Sequence, residues 1–253
     1  MVGTHSRCTR IASCVLLLAL SDCDRAEPNT QSNPVAPILL FNGTGTSLND
    51  VRAIATVLET RNWPYETADS GRMNGLSESQ LAAYRLLIVA GGNYVTMGNE
   101  LSPETTRRIH NAVQRGVNYL GICAGGLLAG DSTSNGLNLT AGVKFGFYSL
   151  VNRGMHKAAV TIVCAQAPVI EHYWEDGPEF TGWGWVVGKY PDGTPAIVEG
   201  AFGKGWVILC GVHPEAPAKW RRDMTFSTTP AAANEYAGTL IDAALNAREL
   251  PHF

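Results

Sequence analysis

No run of five or six like charges occurs anywhere in the 253 residues, and Lys plus Arg (19) fall short of Asp plus Glu (22). A chain of formal net charge -3 lacks the basic footprint that phosphate backbones demand, which excludes DNA and RNA as primary partners. No apolar run is long enough to span a bilayer; the longest near the amino terminus, Ile11 to Leu20, stops at ten residues. Charged residues are sparse at 16% against 45% hydrophobic, so disorder is not the default reading. There is no internal repeat and no linker between two folded halves. At this length a compact chain buries roughly 70 to 75% of its unfolded surface, so the six cysteines are not needed as a scaffold.

What is present begins with a leader pattern. Arg7 and Arg10 precede Ile11–Leu20, an apolar stretch of secretory length, and predict a signal peptide over 1–23. The stretch ends in Leu20-Ser21-Asp22-Cys23, which resembles a bacterial lipobox except for Asp22, where a small residue normally stands. A lipid anchor at Cys23 and ordinary cleavage nearby both stay open, as does a start codon set upstream of a cytosolic protein. Residues 24–36 are polar with two prolines and read as a flexible linker. The expectation is an exported protein, periplasmic or membrane-anchored in a bacterium, with a single domain over 37–253 and an oligomeric state the sequence leaves undetermined.

That domain alternates strands with helices. Ile38–Phe41 is a buried-type strand, and Leu48, Val51, Ile54, Ala55 and Leu58 then recur at helical spacing. A second strand, Leu86–Ala90, runs into Gly91-Gly92. Ser102-Pro103-Glu104 caps a helix that Gly116 ends, and Val117–Ile122 returns to strand. This order predicts a parallel sheet covered on both faces, with sites at the carboxyl ends of its strands. Further strands are expected over Ala158–Cys164, Ala196–Glu199 and Trp206–Cys210, with Gly200–Gly205 as the hairpin between the last two. A closing helix is expected over 231–249, with Tyr236, Leu240, Ala243 and Ala247 on one face.

The sharpest chemical signal is Gly121-Ile122-Cys123-Ala124-Gly125. A nucleophile on a strained strand-to-helix turn needs small residues two places either side, because the backbone folds back on itself there. The following helix start favours a thiolate, and the Ala124 amide is placed to meet an oxyanion. The plain alternative is a structural cysteine among small residues. The second signal is His213-Pro214-Glu215 after the last core strand, a base with an orienting carboxylate two residues on. Together they predict a Cys123-His213-Glu215 triad.

These motifs, with Gly91-Gly92, resemble the class I glutamine amidotransferase-like superfamily. Asn42-Gly43-Thr44-Gly45-Thr46-Ser47, Tyr119–Gly125 and Phe202-Gly203-Lys204-Gly205 leading to His213-Pro214-Glu215 are most similar to the N-terminal domain of eukaryotic-type biotin-protein ligases. The resemblance covers about Ile38 to Ala216. It implies an α/β fold, a flavodoxin-like three-layer sandwich with a mainly parallel sheet. It also implies Cys123 as nucleophile, His213 as base, Glu215 as its orienter, and Gly92 and Ala124 amides as an oxyanion hole. No Walker-type loop and no ligase catalytic domain occur in this sequence, so biotin ligation is not expected, and hydrolysis is expected over ammonia transfer.

The glycine turn after the first strand is expected to line the thiol pocket, making Gly45, Thr46 and Ser47 candidate substrate contacts; a phosphate loop is the weaker reading. His172–Gly177 with Phe180, Trp183 and Trp185 reads either as an aromatic substrate loop, with Tyr173 its chosen contact, or as packing over the sheet. His156, His172 and Glu175 lack a metal spacing, so no metal and no cofactor are expected. Cys164 and Cys210 read as core residues, a disulfide between them being the alternative. The functional expectation is an exported cysteine hydrolase acting on a small-molecule or peptide amide, γ-glutamyl type included. Its competitors are a related cysteine peptidase and a noncatalytic binding module of the same fold.

Overall fold

Runs that are apolar at every position, such as Ile38-Leu39-Leu40-Phe41 and Leu86-Leu87-Ile88-Val89, suit only a sheet covered on both faces. That is what they form in the computed structural model, which describes residues 1–3 and 36–253. The expected leader (1–23), the linker up to residue 35 and the lipidation site at Cys23 lie outside the described residues. No helix among the described residues is long and apolar enough to cross a membrane.

The first half runs β1 (Ile38–Phe41), α1 (Leu48–Thr60), β2 (Tyr65–Ala68), α2 (Ser70–Gly75), α3 (Glu78–Leu81), β3 (Leu86–Val89), α4 (Tyr94–Glu100), α5 (Pro103–Arg115), β4 (Asn118–Ile122) and α6 (Ala124–Ala129). The second half adds β5 (Gly146–Phe147), β6 (Lys157–Cys164), β7 (Ile170–Glu175), β8 (Pro178–Glu179), β9 (Trp185–Lys189), β10 (Pro195–Phe202), β11 (Gly205–Cys210) and α7 (Pro230–Leu245). Nine strands form one sheet in the order β2-β1-β3-β4-β11-β10-β9-β6-β7. From β2 to β11 every pairing is parallel, and from β11 to β7 every pairing is antiparallel. The short β5 and β8 pair separately.

Successive strand side chains point to opposite faces, and each face meets its own helices. Ile38, Leu40, Ile88 and Ile208 pack with Ile54 and Leu58 of α1 and Leu240 and Ile241 of α7. Leu39, Phe41, Leu87 and Leu209 pack with Ile109 and Val113 of α5 and Leu128 of α6. The result is the three-layer α/β sandwich expected from the sequence.

Departures have local causes. The hairpin shrinks to Gly203-Lys204, because β10 and β11 pair as far as Phe202 and Gly205 and Gly203 supplies the left-handed φ of +61° such a tight turn requires. Helix α7 ends at Leu245, so Ala247, expected on its apolar face, lies past it at φ +47°. The segment His172–Glu175, read as a loop, is the outer part of edge strand β7, held by pairing with β6 from Lys157↔Glu175 to Ile162↔Ile170. Cys164 and Cys210 are buried free thiols: Cys164 Sγ lies 3.2 Å from Tyr236 Oη, and Cys210 donates to the Val212 carbonyl at 3.3 Å. No disulfide joins them.

Candidate active site

The sheet register alone brings the two motifs together. Strands β4 and β11 are parallel neighbours with Ile122 opposite Cys210, so Cys123 and the segment after Cys210 leave the same carboxyl edge side by side. The Cys123 amide donates to the Cys210 carbonyl at 2.7 Å, and three residues later His213 donates its amide to Tyr173 O at 2.8 Å. On the other side of β4, β3 ends in Gly91-Gly92, and β1 leads through the glycine turn into α1.

At the elbow, Cys123 sits at φ +50°, ψ -111°, a conformation a side chain adopts only under constraint. The constraint is close backbone approach: an added Cβ at Gly125 would land on the Val89 carbonyl, and one at Gly121 would lie 2.6 Å from Gly125 O. Tyr119 Oη clamps the same Gly125 carbonyl at 2.7 Å. Cys123 is 6% exposed, and its thiol reaches the Glu175 carbonyl at 3.5 Å.

His213 and Glu215 are buried at 3% and 2% exposure, and Nδ1 of His213 lies 2.9 Å from Glu215 Oε1. Asp50 Oδ1 stands 3.5 Å from the same nitrogen. Burial opposes charge on the imidazole, but the Cys123 sulfur and the Glu215 carboxylate outweigh it and hold the His213 pKa well above its ordinary value. Burial pushes the Glu215 carboxyl up, with His213 pulling it the other way. The arrangement suits a thiolate–imidazolium pair, with Nδ1 anchored to a carboxylate.

These groups open onto a cavity of about 450 Å³ lined by Ser47, Asp50, Gly92, Asn93, Tyr94, Cys123, Ala124, Phe147, Glu175, Asp176 and His213. Of the residues singled out from sequence, Cys123, His213, Gly92, Ala124 and Ser47 meet at the cavity, and Glu215 stands behind His213. Gly45 and Thr46 do not line it. Gly45 accepts the Asn93 amide at 2.8 Å, and Thr46 pairs with Gly92, so they position the Gly92 turn and the start of α1. Tyr173 is also off the cavity wall. It is 3% exposed, its hydroxyl donates to Glu175 Oε2 at 2.6 Å, and its ring lies behind the His213 imidazole, centroids 5.8 Å apart.

Asp50 went unsuspected because it reads as an ordinary first-turn acid: Ser47 caps α1 by accepting the Asp50 amide at 3.4 Å. Its proximity to His213 arises from β1 and β11 ending at one edge, which no local pattern reveals. Asp50, His213 and Glu215 are also the one cluster among the described residues whose donor atoms, all within 4.8 Å, have the chemistry to hold a metal ion. His213 Nδ1 is already committed to Glu215 there. The histidine of the aromatic segment, His172 on β7, is fully buried with neither ring nitrogen hydrogen-bonded, and burial, aided by Arg221, lowers its pKa to about 3.

Comparison with known proteins agrees with this architecture. Residues 36–156 match the family model described as biotin-protein ligase, N terminal. The biotin-protein ligase of Schizosaccharomyces pombe (strain 972) is 27% identical over 229 residues, covering 72% of this chain and 34% of the ligase. The chain thus spans about a third of the length of the curated relative it matches. Among solved structures, a cytoplasmic protein of Salmonella typhimurium LT2 superposes with a TM-score of 0.54 at 13% identity over 84% of this chain and 99% of its own. A Thermoplasma acidophilum protein whose name refers to GMP synthase does so with a TM-score of 0.53 at 11% identity, over 83% and 95%. At such identities these two speak to fold alone. Residues 36–156 are thus similar to the N-terminal domain of biotin-protein ligases, and the chain shares an α/β fold with these solved structures.

Proposed function

We propose that the domain is a cysteine amidohydrolase. The observation that carries the reading is the register-built convergence of a strained, nearly buried Cys123 with a His213 whose Nδ1 is held 2.9 Å from Glu215. The Cys123 thiolate attacks the amide carbonyl, forming the C–S bond while the carbonyl electrons move onto oxygen. The amides of Gly92 and Ala124, both at the cavity wall and engaged in no backbone hydrogen bond among the described residues, receive that oxyanion. His213, carrying the proton taken from the thiol, gives it to the departing amine as the C–N bond breaks. Water, deprotonated by the now neutral imidazole, then cleaves the thioester and restores the thiol. Glu215 holds the ring orientation and balances its charge throughout. The export expected from the leader pattern would place this activity outside the cytoplasm.

The test is ammonia or amine release from a panel of amides by wild type and Cys123→Ala. Loss of all turnover in the variant, with a nearly unchanged melting temperature, supports the reading. Equal release by both proteins, or none by wild type on the whole panel, sinks it, and the latter with retained ligand affinity leaves a binding module.

A further inference from the structure

The walls of the cavity carry a further statement about the molecule they receive. Three carboxylates line it, Asp50, Glu175 and Asp176, and no lysine or arginine does. Glu175 is answered from outside the cavity by Lys157, 3.0 Å away, and Asp176 by the exposed His156 at 2.7 Å. Asp50 is different. It is 7% exposed, and among the described residues its carboxylate accepts no hydrogen bond, because the nearby Nδ1 of His213 is nearer Glu215. A buried carboxylate facing a cavity without a donor is costly unless a ligand supplies one. Moving the proton between Cys123 and His213 leaves their joint charge at zero, so the surroundings are negative whichever atom holds it.

The same cavity carries two aromatic rings, Tyr94 and Phe147. Phe147, in the short β5 ladder, is 47% exposed at the cavity and meets Tyr94 edge to face, centroids 6.5 Å apart. An apolar ring kept wet beside carboxylates is poorly matched to a neutral alkyl group, which would strip water from the acids without pairing them. It is worse matched to an anion, which would find three carboxylates and neither lysine nor arginine on the wall. A ring face and carboxylates together attract an ammonium or guanidinium group.

We propose that the substrate amide bears a positive charge, ammonium or guanidinium, seated against the Tyr94 and Phe147 rings and the carboxylates of Asp50, Glu175 and Asp176. This rests on the reading that Cys123 attacks an amide, and it adds the substrate class.

The test uses three amides of similar size and different charge: 4-aminobutanamide (cationic), pentanamide (neutral) and succinamate (anionic). Their affinities are measured calorimetrically on the Cys123→Ser protein, and ammonia release from each by wild type. The cationic amide should bind at least about tenfold more tightly than the neutral one, equivalent to about 1.4 kcal/mol. Succinamate should bind weakest, and the gap should narrow in about 0.5 M salt as screening shortens. Asp176→Asn and Phe147→Ala should each shrink the cationic preference several-fold. Equal affinities, tighter succinamate, or no measurable binding of any of the three overturns the proposal. If Cys123→Ser shows the cationic preference but wild type releases no ammonia, amide hydrolysis fails and the charge assignment stands. If wild type hydrolyses all three alike or favours succinamate, hydrolysis stands and the charge assignment fails.

Discussion

Gly91→Ala is the most incisive perturbation the structure offers, because it acts on the imidazole through space alone. Gly91 is not in the left-handed region, so alanine fits its backbone, and the only obstacle is what the methyl group meets. That is His213 Cε1 at 2.8 Å and Asp50 Oδ2 at 3.1 Å. Carbon atoms rest about 3.5 to 4.0 Å apart, so the ring must retreat by roughly 0.7 to 1.2 Å. Retreat is resisted, since His213 is tied through its amide to Tyr173 O at 2.8 Å and through Nδ1 to Glu215 at 2.9 Å, with the Tyr173 and Trp220 rings packed against it. Overpacking of this kind costs about 1 to 3 kcal/mol, and for a chain of this size each kcal/mol lowers Tm by about 2 to 4 °C. A displacement near 1 Å in a catalytic group costs on the order of a hundredfold in rate. The assay is the iodoacetamide labelling rate of Cys123, followed peptide by peptide by mass spectrometry, beside a thermal melt. Labelling should fall toward the rate of His213→Ala while the protein stays folded. If Gly91→Ala labels Cys123 at the wild-type rate while His213→Ala does not, the imidazole is not where the reasoning requires it.

In Gly125→Ala the new Cβ lands on the Val89 backbone carbonyl, which cannot swing aside as a side chain can, so the variant should be far less stable than Gly91→Ala in urea unfolding. Glu215→Ala strands a buried imidazolium and should cost about 3 to 5 kcal/mol at neutral pH, whereas Glu215→Gln keeps the shape and should cost less; equal losses would mean that the carboxylate charge is irrelevant. His172, whose folded pKa of about 3 lies below its unfolded value near 6.5, stabilises the fold fully above pH 6.5 and loses that contribution as pH falls toward 3. Stability should therefore decline by up to about 1.4 kcal/mol per pH unit through that window, and His172→Leu, which also removes two unpartnered nitrogens, should flatten this slope in denaturant titrations between pH 6.5 and 4.

Which parts of the molecule could be read in advance depended on whether their cause was local. Strand β1 matches its apolar run residue for residue, and α5 begins and ends where Ser102, Pro103 and Gly116 indicate. The elbow was legible because its strain is written into the glycines either side of Cys123. Strand β2, Tyr-Glu-Thr-Ala, was not, since at a sheet edge it alternates too weakly to stand out from a loop. The aromatic segment around Tyr173 misled for the opposite reason. Tyrosine, tryptophan and histidine together suggest a ligand, yet pairing with β6 makes Trp174 and His172 fully buried and sets Tyr173 behind the imidazole. It is Glu175 and Asp176 of the same candidate loop, and not the chosen Tyr173, that reach the cavity.

The case of Asp50 shows how a site can be larger than its motifs. Cys123 and the His213-Pro214-Glu215 segment stand on adjacent strands β4 and β11, and one register fixes their separation. Asp50 belongs to α1, which starts where the β1 turn is held: the Ser47 amide donates to Gly91 O at 2.9 Å and the Asn93 amide to Gly45 O at 2.8 Å. These two bonds fasten the β1 and β3 loops to each other, and so place the first turn of α1 above the imidazole. An acid in a helix's first turn needs no functional reason, because the helix dipole favours it. What the dipole does not explain is its burial to 7% exposure, 3.5 Å from a ring already held by Glu215. Of the two carboxylates beside the imidazole, Glu215 holds Nδ1 and only Asp50 lines the cavity around Cys123, so the acid that no motif announced is the one placed to meet a bound cation.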